Sequence, residues 1–292
     1  MRIGLFLPSV SPVATPEFLA AFAGAAEDGG FASLWIGEHA VFVDEYESRY
    51  PYSDDGKVGL PPDSGMLGLF ETVTFLAGAT SRLRIGTAVC LVPQRNPVYT
   101  AKAVATADWL SNGRVDFGVG IGWLREEFAA LGVPFEHRAE RTREYLEVMK
   151  RLWCDEVSQY EGEYYSLPEC RMFPKPVQQP YPPIYFGGET EPALRRVADL
   201  GDGWHGFNHQ PESAGASVQR LEKMLAERGR SPADVHVTIG TYMQPVEPAN
   251  LAQYRDVGVD QIVLPAFAAD AAGIREQIGQ LGDAFVAHAS TL

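Results

Sequence analysis

Cysteine is scarce in this 292-residue chain: Cys90, Cys154 and Cys170 are the only three, none in a C-x-x-C spacing. Three thiols cannot all pair within one chain, so a disulfide scaffold is excluded and reduced thiols in a cytoplasm are the expected state. A carboxylate cluster of metal-ligand spacing and a Cys/His tetrad are missing, and no metal is expected. G-x-S-x-G is missing too, which leaves a hydrolase triad without support. Positive charge is thin, with 24 Lys and Arg against 38 Asp and Glu and a net charge of −14. Such a field opposes a polyanionic backbone, so nucleic acid is not an expected partner. Long apolar runs are absent: "MRIGLFLPSV" meets Pro8 within a few residues and reads as a buried strand, not a signal or membrane anchor. Low-complexity tracts and long Pro/Gly/Ser linkers are also lacking. With 46% hydrophobic residues the chain can bury a large core, and one domain over 1–292 is expected.

What the sequence does contain is alternation. "RIGLFLP" (2–8) precedes "PEFLAAFAGAAEDGGF" (16–31), in which Phe18, Leu19, Phe22, Ala25 and Ala26 share a helical face. "SLWIGEHA" (33–40) pairs with "LFETVTFLAGAT" (69–80), "LRIGTAVCL" (83–91) with "PVYTAKAVATADWL" (97–110), and "RVDFGVGIG" (114–122) with "AERTREYLEVMKRLW" (139–153). Four more pairs follow a long connection over 154–181: "PIYFGG" with "PALRRVADL", "GWHGF" with "SAGASVQRLEKMLAERG", "VHVTIGTYM" with "PANLAQYRDVG", and "QIVLPAF" with "DAAGIREQIGQLGDAFVAHAS". Near-continuous apolar strands joined by helices imply a parallel sheet covered outside, and eight units favour closure. The expected fold is an α/β (β/α)8 TIM barrel with insertions after strand two and before strand five; a doubly wound sheet is the alternative.

Barrel active sites lie where strands end, which directs attention to a short set of residues. Strand two ends in Glu38-His39, a carboxylate beside an imidazole that can move protons. Strand four carries Gly118, Gly120 and Gly122, whose missing side chains suit a flat ring or another backbone lying against them. Arg125, Glu126 and Glu127 follow it and read as solvated charges. Strand five ends in Gly187-Gly188-Glu189-Thr190 just before a helix, where free N–H groups and the helix dipole attract an anion such as phosphate. The connection over 41–65, rich in Tyr, Pro and Asp, exceeds an ordinary loop and reads as a lid that sets specificity. In "LFETVTFLAGAT", Phe70, Val73 and Phe75 exceed one core-facing stripe, which is an argument for self-association.

Five stretches, "LWIGEHA", "LRIGTAVCLVPQRNPVYTAK", "GRVDFGVGIGWLREEF", "GEYYSLPE" and "PIYFGGETEPALRRVADLGDGW", together span most of the chain. In this order the set resembles the bacterial luciferase-like monooxygenase superfamily, and within it the deazaflavin branch that uses coenzyme F420. The resemblance implies an oxidoreductase that exchanges a hydride between F420 and a small organic substrate, with reduced FMN as the alternative cofactor. It also implies a homodimer. A non-proline cis peptide is implied at Ala88-Val89 beneath the cofactor ring, together with cofactor contacts from Glu38, His39, Gly120 and Gly122. Phosphate contacts are implied at Gly187, Gly188, Glu189 and Thr190. His39 is the candidate acid/base, with Glu38 orienting it or touching the cofactor. One departure stands out: the F420-dependent sugar-phosphate dehydrogenases carry a catalytic Glu where this sequence has Trp123.

Overall fold

The computed structural model describes residues 1–61 and 63–292. Eight strands form the barrel: β1 (Arg2–Phe6), β2 (Ser33–Ile36), β3 (Arg84–Thr87), β4 (Val115–Gly120), β5 (Ile184–Gly187), β6 (Gly203–Phe207), β7 (His236–Gly240) and β8 (Gln261–Pro265). They pair in parallel, β1 with β2 and β8, and the ring closes where β3 meets β4 through Ile85 opposite Val115. This is the (β/α)8 barrel read from the alternation.

The helices are α1 (Pro16–Asp28), α2 (Leu69–Ala79), α3 (Pro97–Ser111), α4 (Arg125–Ala130), α5 (Arg138–Cys154), α6 (Glu191–Leu200), α7 (Pro211–Ala226), α8 (Leu251–Asp256) and α9 (Ala271–Leu281). Their starts follow from local chemistry. Thr15 caps α1 by accepting from the Phe18 N–H, and Asn96 caps α3 by accepting from Val98 and Tyr99. Proline stands in the first turn of α1, α3, α6 and α7, where its missing N–H costs nothing. Among the described residues no helix is long and apolar enough to cross a membrane.

Two layers hold the barrel. Between strands and helices lies the main core, with Phe18, Phe22, Leu34, Phe117, Met149 and Trp153 buried in it. Each such side chain contributes about 1.5–3 kcal/mol by leaving water. Inside the barrel, Trp35, Tyr185 and Val263 pack together under Phe6, Ala88 and Tyr242. Both insertions occur where expected. The second carries an antiparallel hairpin, Ser158–Glu161 with Ser166–Cys170. The apolar surplus read into α2 is corrected: Phe70 and Val73 are buried in the core, and only Phe75, 41% exposed, faces outward. A helix lying on a barrel has two flanking helices as well as the strands beneath it, and that widens its buried stripe.

Candidate active site

At the C-terminal end of β2 the chain continues as Gly37-Glu38-His39, and the two polar side chains part company. Adjacent residues of extended chain point to opposite faces. Glu38 accepts from Arg95 Nε at 2.8 Å and from the Leu91 N–H at 2.7 Å, while the Arg95 guanidinium lies 5.1 Å from the centre of the Phe70 ring. It ties the end of β2 to the chain just past β3. His39 turns the other way, and its Nδ1 sits 3.0 Å from Glu127 Oε2. The expectation that Glu38 orients His39 is therefore corrected: Glu127 does so.

Glu127 is also not a solvated charge. It is fully buried on α4, on the same stripe as Leu124 and Phe128. Its carboxylate accepts from the Ala40 N–H at 2.7 Å and from Gln94 Nε2 at 3.0 Å, besides meeting His39. Burial acts to raise its pKa, but hydrogen bonding and charge at His39, with Gln94 and Ala40, outweigh this and hold it below the usual carboxylate value. A carboxylate kept ionised fixes the imidazole tautomer: Nδ1 carries the hydrogen it donates, and Nε2 is left as the reactive nitrogen. The sequence carried one signal of this. In "LREEF", Glu127 falls three residues after buried Leu124 and directly before buried Phe128, so a charge sits on the apolar face.

The neighbouring Glu126 holds the first insertion. Its Oε1 accepts from the N–H groups of Glu47 at 2.8 Å and Ser48 at 3.2 Å, and the Arg125 N–H donates to Ser48 Oγ at 3.0 Å. From this clamp the insertion lays three tyrosines across the mouth. Tyr46 and Tyr50 meet the Trp123 ring at 5.7 and 5.2 Å between centroids, and Tyr52 meets Phe207 at 4.1 Å. Burial pushes the pKa of Glu126 up, but hydrogen bonds from Ser48 and from backbone N–H groups bring it down to about 2. A carboxyl whose folded pKa lies below its unfolded value stabilises above the unfolded pKa and loses that contribution as pH falls through the folded one. The clamp should thus be fully formed above about pH 4.5 and released towards pH 2. Hydrogen exchange checks this directly: protection of the Glu47 and Ser48 amides should fall with acidification while β1 stays protected. Glu126→Ala should speed their exchange roughly tenfold at neutral pH, the loss of about one net hydrogen bond. Unchanged exchange would show that the loop is held by other contacts.

The Ala88–Val89 peptide is cis, as the resemblance implied. The three alternating glycines in and just after β4 are filled by the protein itself: a Cβ on Gly118 would collide with the Thr87 carbonyl, one on Gly120 with Val89 Cγ2 of the bulge and one on Gly122 with the Phe128 ring, while one on Gly187 would stand 3.0 Å from Val89 Cγ1. The Gly122 carbonyl accepts from Arg138 Nε at 3.1 Å. Beyond β5, Gly188 adopts φ +107°, and the N–H groups of Gly188, Glu189 and Thr190 donate to no acceptor among the described residues. Thr190 caps α6 with its backbone alone. The Glu189 side chain points elsewhere, accepting from the Phe207 N–H at 2.9 Å and meeting His209 Nε2.

His205 and His209 have the four-residue spacing of an H-x-x-x-H pair, yet they do not converge. His205 lies inside the barrel with Nε2 2.8 Å from Tyr242 Oη, and burial pushes its pKa down to about 3, so it is neutral. His209 meets Glu189 and Ser213. A cavity of about 500 Å³ lies at the opposite end of the barrel, where Arg84 and Asp116 pair at 2.6 Å. That end of a barrel serves stability.

The luciferase-like monooxygenase family model matches residues 1–256, and the chain belongs to that family. An uncharacterized protein of Mycobacterium tuberculosis is 34% identical over 274 residues, covering 92% of this chain and 94% of that one. An F420-dependent glucose-6-phosphate dehydrogenase of Kineococcus radiotolerans is 33% identical over 193 residues, covering 65% of this chain and 52% of its own. An FMNH2-dependent dimethylsulfone monooxygenase of Pseudomonas putida is 30% identical over 167 residues, covering 55% and 46%. The solved coenzyme F420 dependent tetrahydromethanopterin reductase of Methanopyrus kandleri superposes with a TM-score of 0.77 at 19% identity, covering 98% and 99% of the two chains, and shares the fold.

Proposed function

We propose that this protein is an oxidoreductase that exchanges a hydride between coenzyme F420 and a small organic substrate, with His39 handling the accompanying proton. The observation that carries this reading is the His39–Glu127 pair at the barrel mouth, an imidazole held in one tautomer by a buried carboxylate. A cofactor fits the residues present. The free N–H groups of Gly188, Glu189 and Thr190 at the start of α6 can receive its phosphate, with Gly187 completing the turn. The cis Ala88–Val89 bulge above Gly120 can support its ring, and Glu38 fixes that bulge through Leu91 and Arg95. Gly122, at φ +76° and with no room for a Cβ beside Phe128, turns the chain at the end of β4 towards it.

When bound, a deazaflavin supplies two-electron hydride chemistry. The chain's own contribution is to seat it and keep water away beneath the 41–65 insertion. His39 Nε2 gives a proton to the substrate heteroatom on reduction, or takes one on oxidation. Reduced FMN is the second reading, since the same donors would hold its phosphate and the Pseudomonas putida relative uses FMNH2. A flavin-binding protein without catalysis is the third, and the buried, ionised carboxylate that meets His39 Nδ1 at the mouth argues against it. Parallel titration with F420 and FMN, followed by fluorescence, tests the reading: tighter binding of F420 is expected, preference for FMN would select the monooxygenase, and failure of both would end it.

A cytoplasmic homodimer completes the proposal. Tyr99, Trp109 and Leu110 are exposed on α3, and Phe75 is exposed on α2, which packs against it. Burying those residues against a second copy should give a particle of twice the 32.0 kDa chain mass in light scattering. A mass of one chain across a wide concentration range would rule it out.

A further inference from the structure

Six aromatic rings follow one another across the mouth without a break: Trp123, Tyr50, Tyr52, Phe207, Tyr242 and Phe6. Successive centroids are 5.2, 5.5, 4.1, 5.0 and 4.4 Å apart. The band starts at the end of β4, crosses on two residues of the insertion, and passes over the ends of β6, β7 and β1. No side chain in it carries a charge. The Trp123 indole Nε1 is buried with no acceptor among the described residues. Burial raises the pKa of the Tyr50 and Tyr52 hydroxyls, and the Glu189 carboxylate adds to the shift at Tyr52, which marks this edge as dry and hostile to anions.

We infer that the substrate is a neutral, planar, conjugated molecule, stacked on this band with one hydrogen-bond acceptor facing Trp123 Nε1, and that Tyr50 and Tyr52 set this specificity. The inference deepens the reading given above and rests on it for the identity of the site. Aromatic faces reward stacking beyond the area it buries, whereas a charge buried among them is costly unless it is paired. A phosphorylated sugar finds no partner along the band. The buried N–H of Trp123 gives direction, because a donor unmet in the protein gains a hydrogen bond only from a ligand that brings an acceptor to it.

Calorimetry with two matched probes tests this, 2-naphthamide and the anionic 2-naphthoate, titrated into protein saturated with the cofactor that binds it and into protein alone. The naphthamide should bind at least tenfold more tightly than the naphthoate, and glucose 6-phosphate should not compete. Tyr52→Ala should weaken naphthamide roughly tenfold, and Trp123→Phe, which keeps the ring and removes the donor, several-fold. Circular dichroism confirms that each variant is folded. Equal binding of naphthoate, or naphthamide binding unaffected by both substitutions, would overturn the inference. So would displacement of naphthamide by F420 or FMN, which would make the band the seat of the cofactor. If neither cofactor binds but naphthamide still discriminates as described, the cofactor reading fails and the neutral aromatic site stands.

Discussion

His39→Ala is expected to lower turnover by about 10² to 10⁴ while cofactor affinity changes little, because positioned general acid–base catalysis contributes on that order. The structure adds a second variant with a sharper meaning. Glu127→Gln keeps the shape of the buried side chain but places an amide where a carboxylate fixed the Nδ1–H tautomer, so the amide can donate to Nδ1 and leave hydrogen on Nε2. Turnover should fall by a similar factor with KM nearly constant, since the change affects the proton and not the binding of substrate. The pH–rate profile separates positioning from mere packing. An acid/base histidine leaves a step in that profile, and His39→Ala should abolish it. If His39 only satisfies a contact at the rim, its loss should instead cost about 1–3 kcal/mol of stability with turnover intact. A folded His39→Ala with near-normal rate would therefore remove it from the mechanism.

Gly188→Asp should weaken cofactor binding about 100-fold, which corresponds to roughly 3 kcal/mol. Two causes act together. Gly188 holds φ +107°, where an L-residue is strained, and a Cβ there would stand 3.0 Å from that of Ala193 in the first turn of α6. The new carboxylate would also lie beside the unpaired N–H groups at the helix start and repel an anion arriving there. Gly188→Asn shares the strain without the charge, so it should bind roughly tenfold better than the aspartate variant. Fluorescence titration of both, with thermal melting to confirm the fold, checks the pair. Identical affinities for Asn, Asp and the parent glycine would place the phosphate elsewhere.

Strand and helix order was written in the chain itself. An apolar run with β-branched residues, a turn at glycine and a stripe at helical spacing are local patterns, and residues 2–6, 33–36 or 115–120 form strands for reasons visible within a few positions. Eight such units leave few ways to cover a parallel sheet, so closure followed from counting. The strand glycines were legible as places where a ring or another backbone approaches closely, whereas the Ala88–Val89 bulge was implied only by the family resemblance.

The partner of each polar side chain was decided only by the tertiary structure. Glu38 and His39 are neighbours in sequence, and that suggested a pair, yet extended chain sends them apart. His39 finds its carboxylate 88 residues away on a short helix, a distance the sequence cannot measure until β2 and β4 stand side by side with β3 between them. The tyrosines of the 41–65 insertion have no periodicity of their own. They form a wall because Glu126 and other contacts hold that loop over the barrel end, where the chain leaving β4, β6, β7 and β1 converges. Local propensity fixes which segments are strands and helices; which side chains meet across the mouth is set by the closed ring, because closure brings distant strand ends within bonding reach.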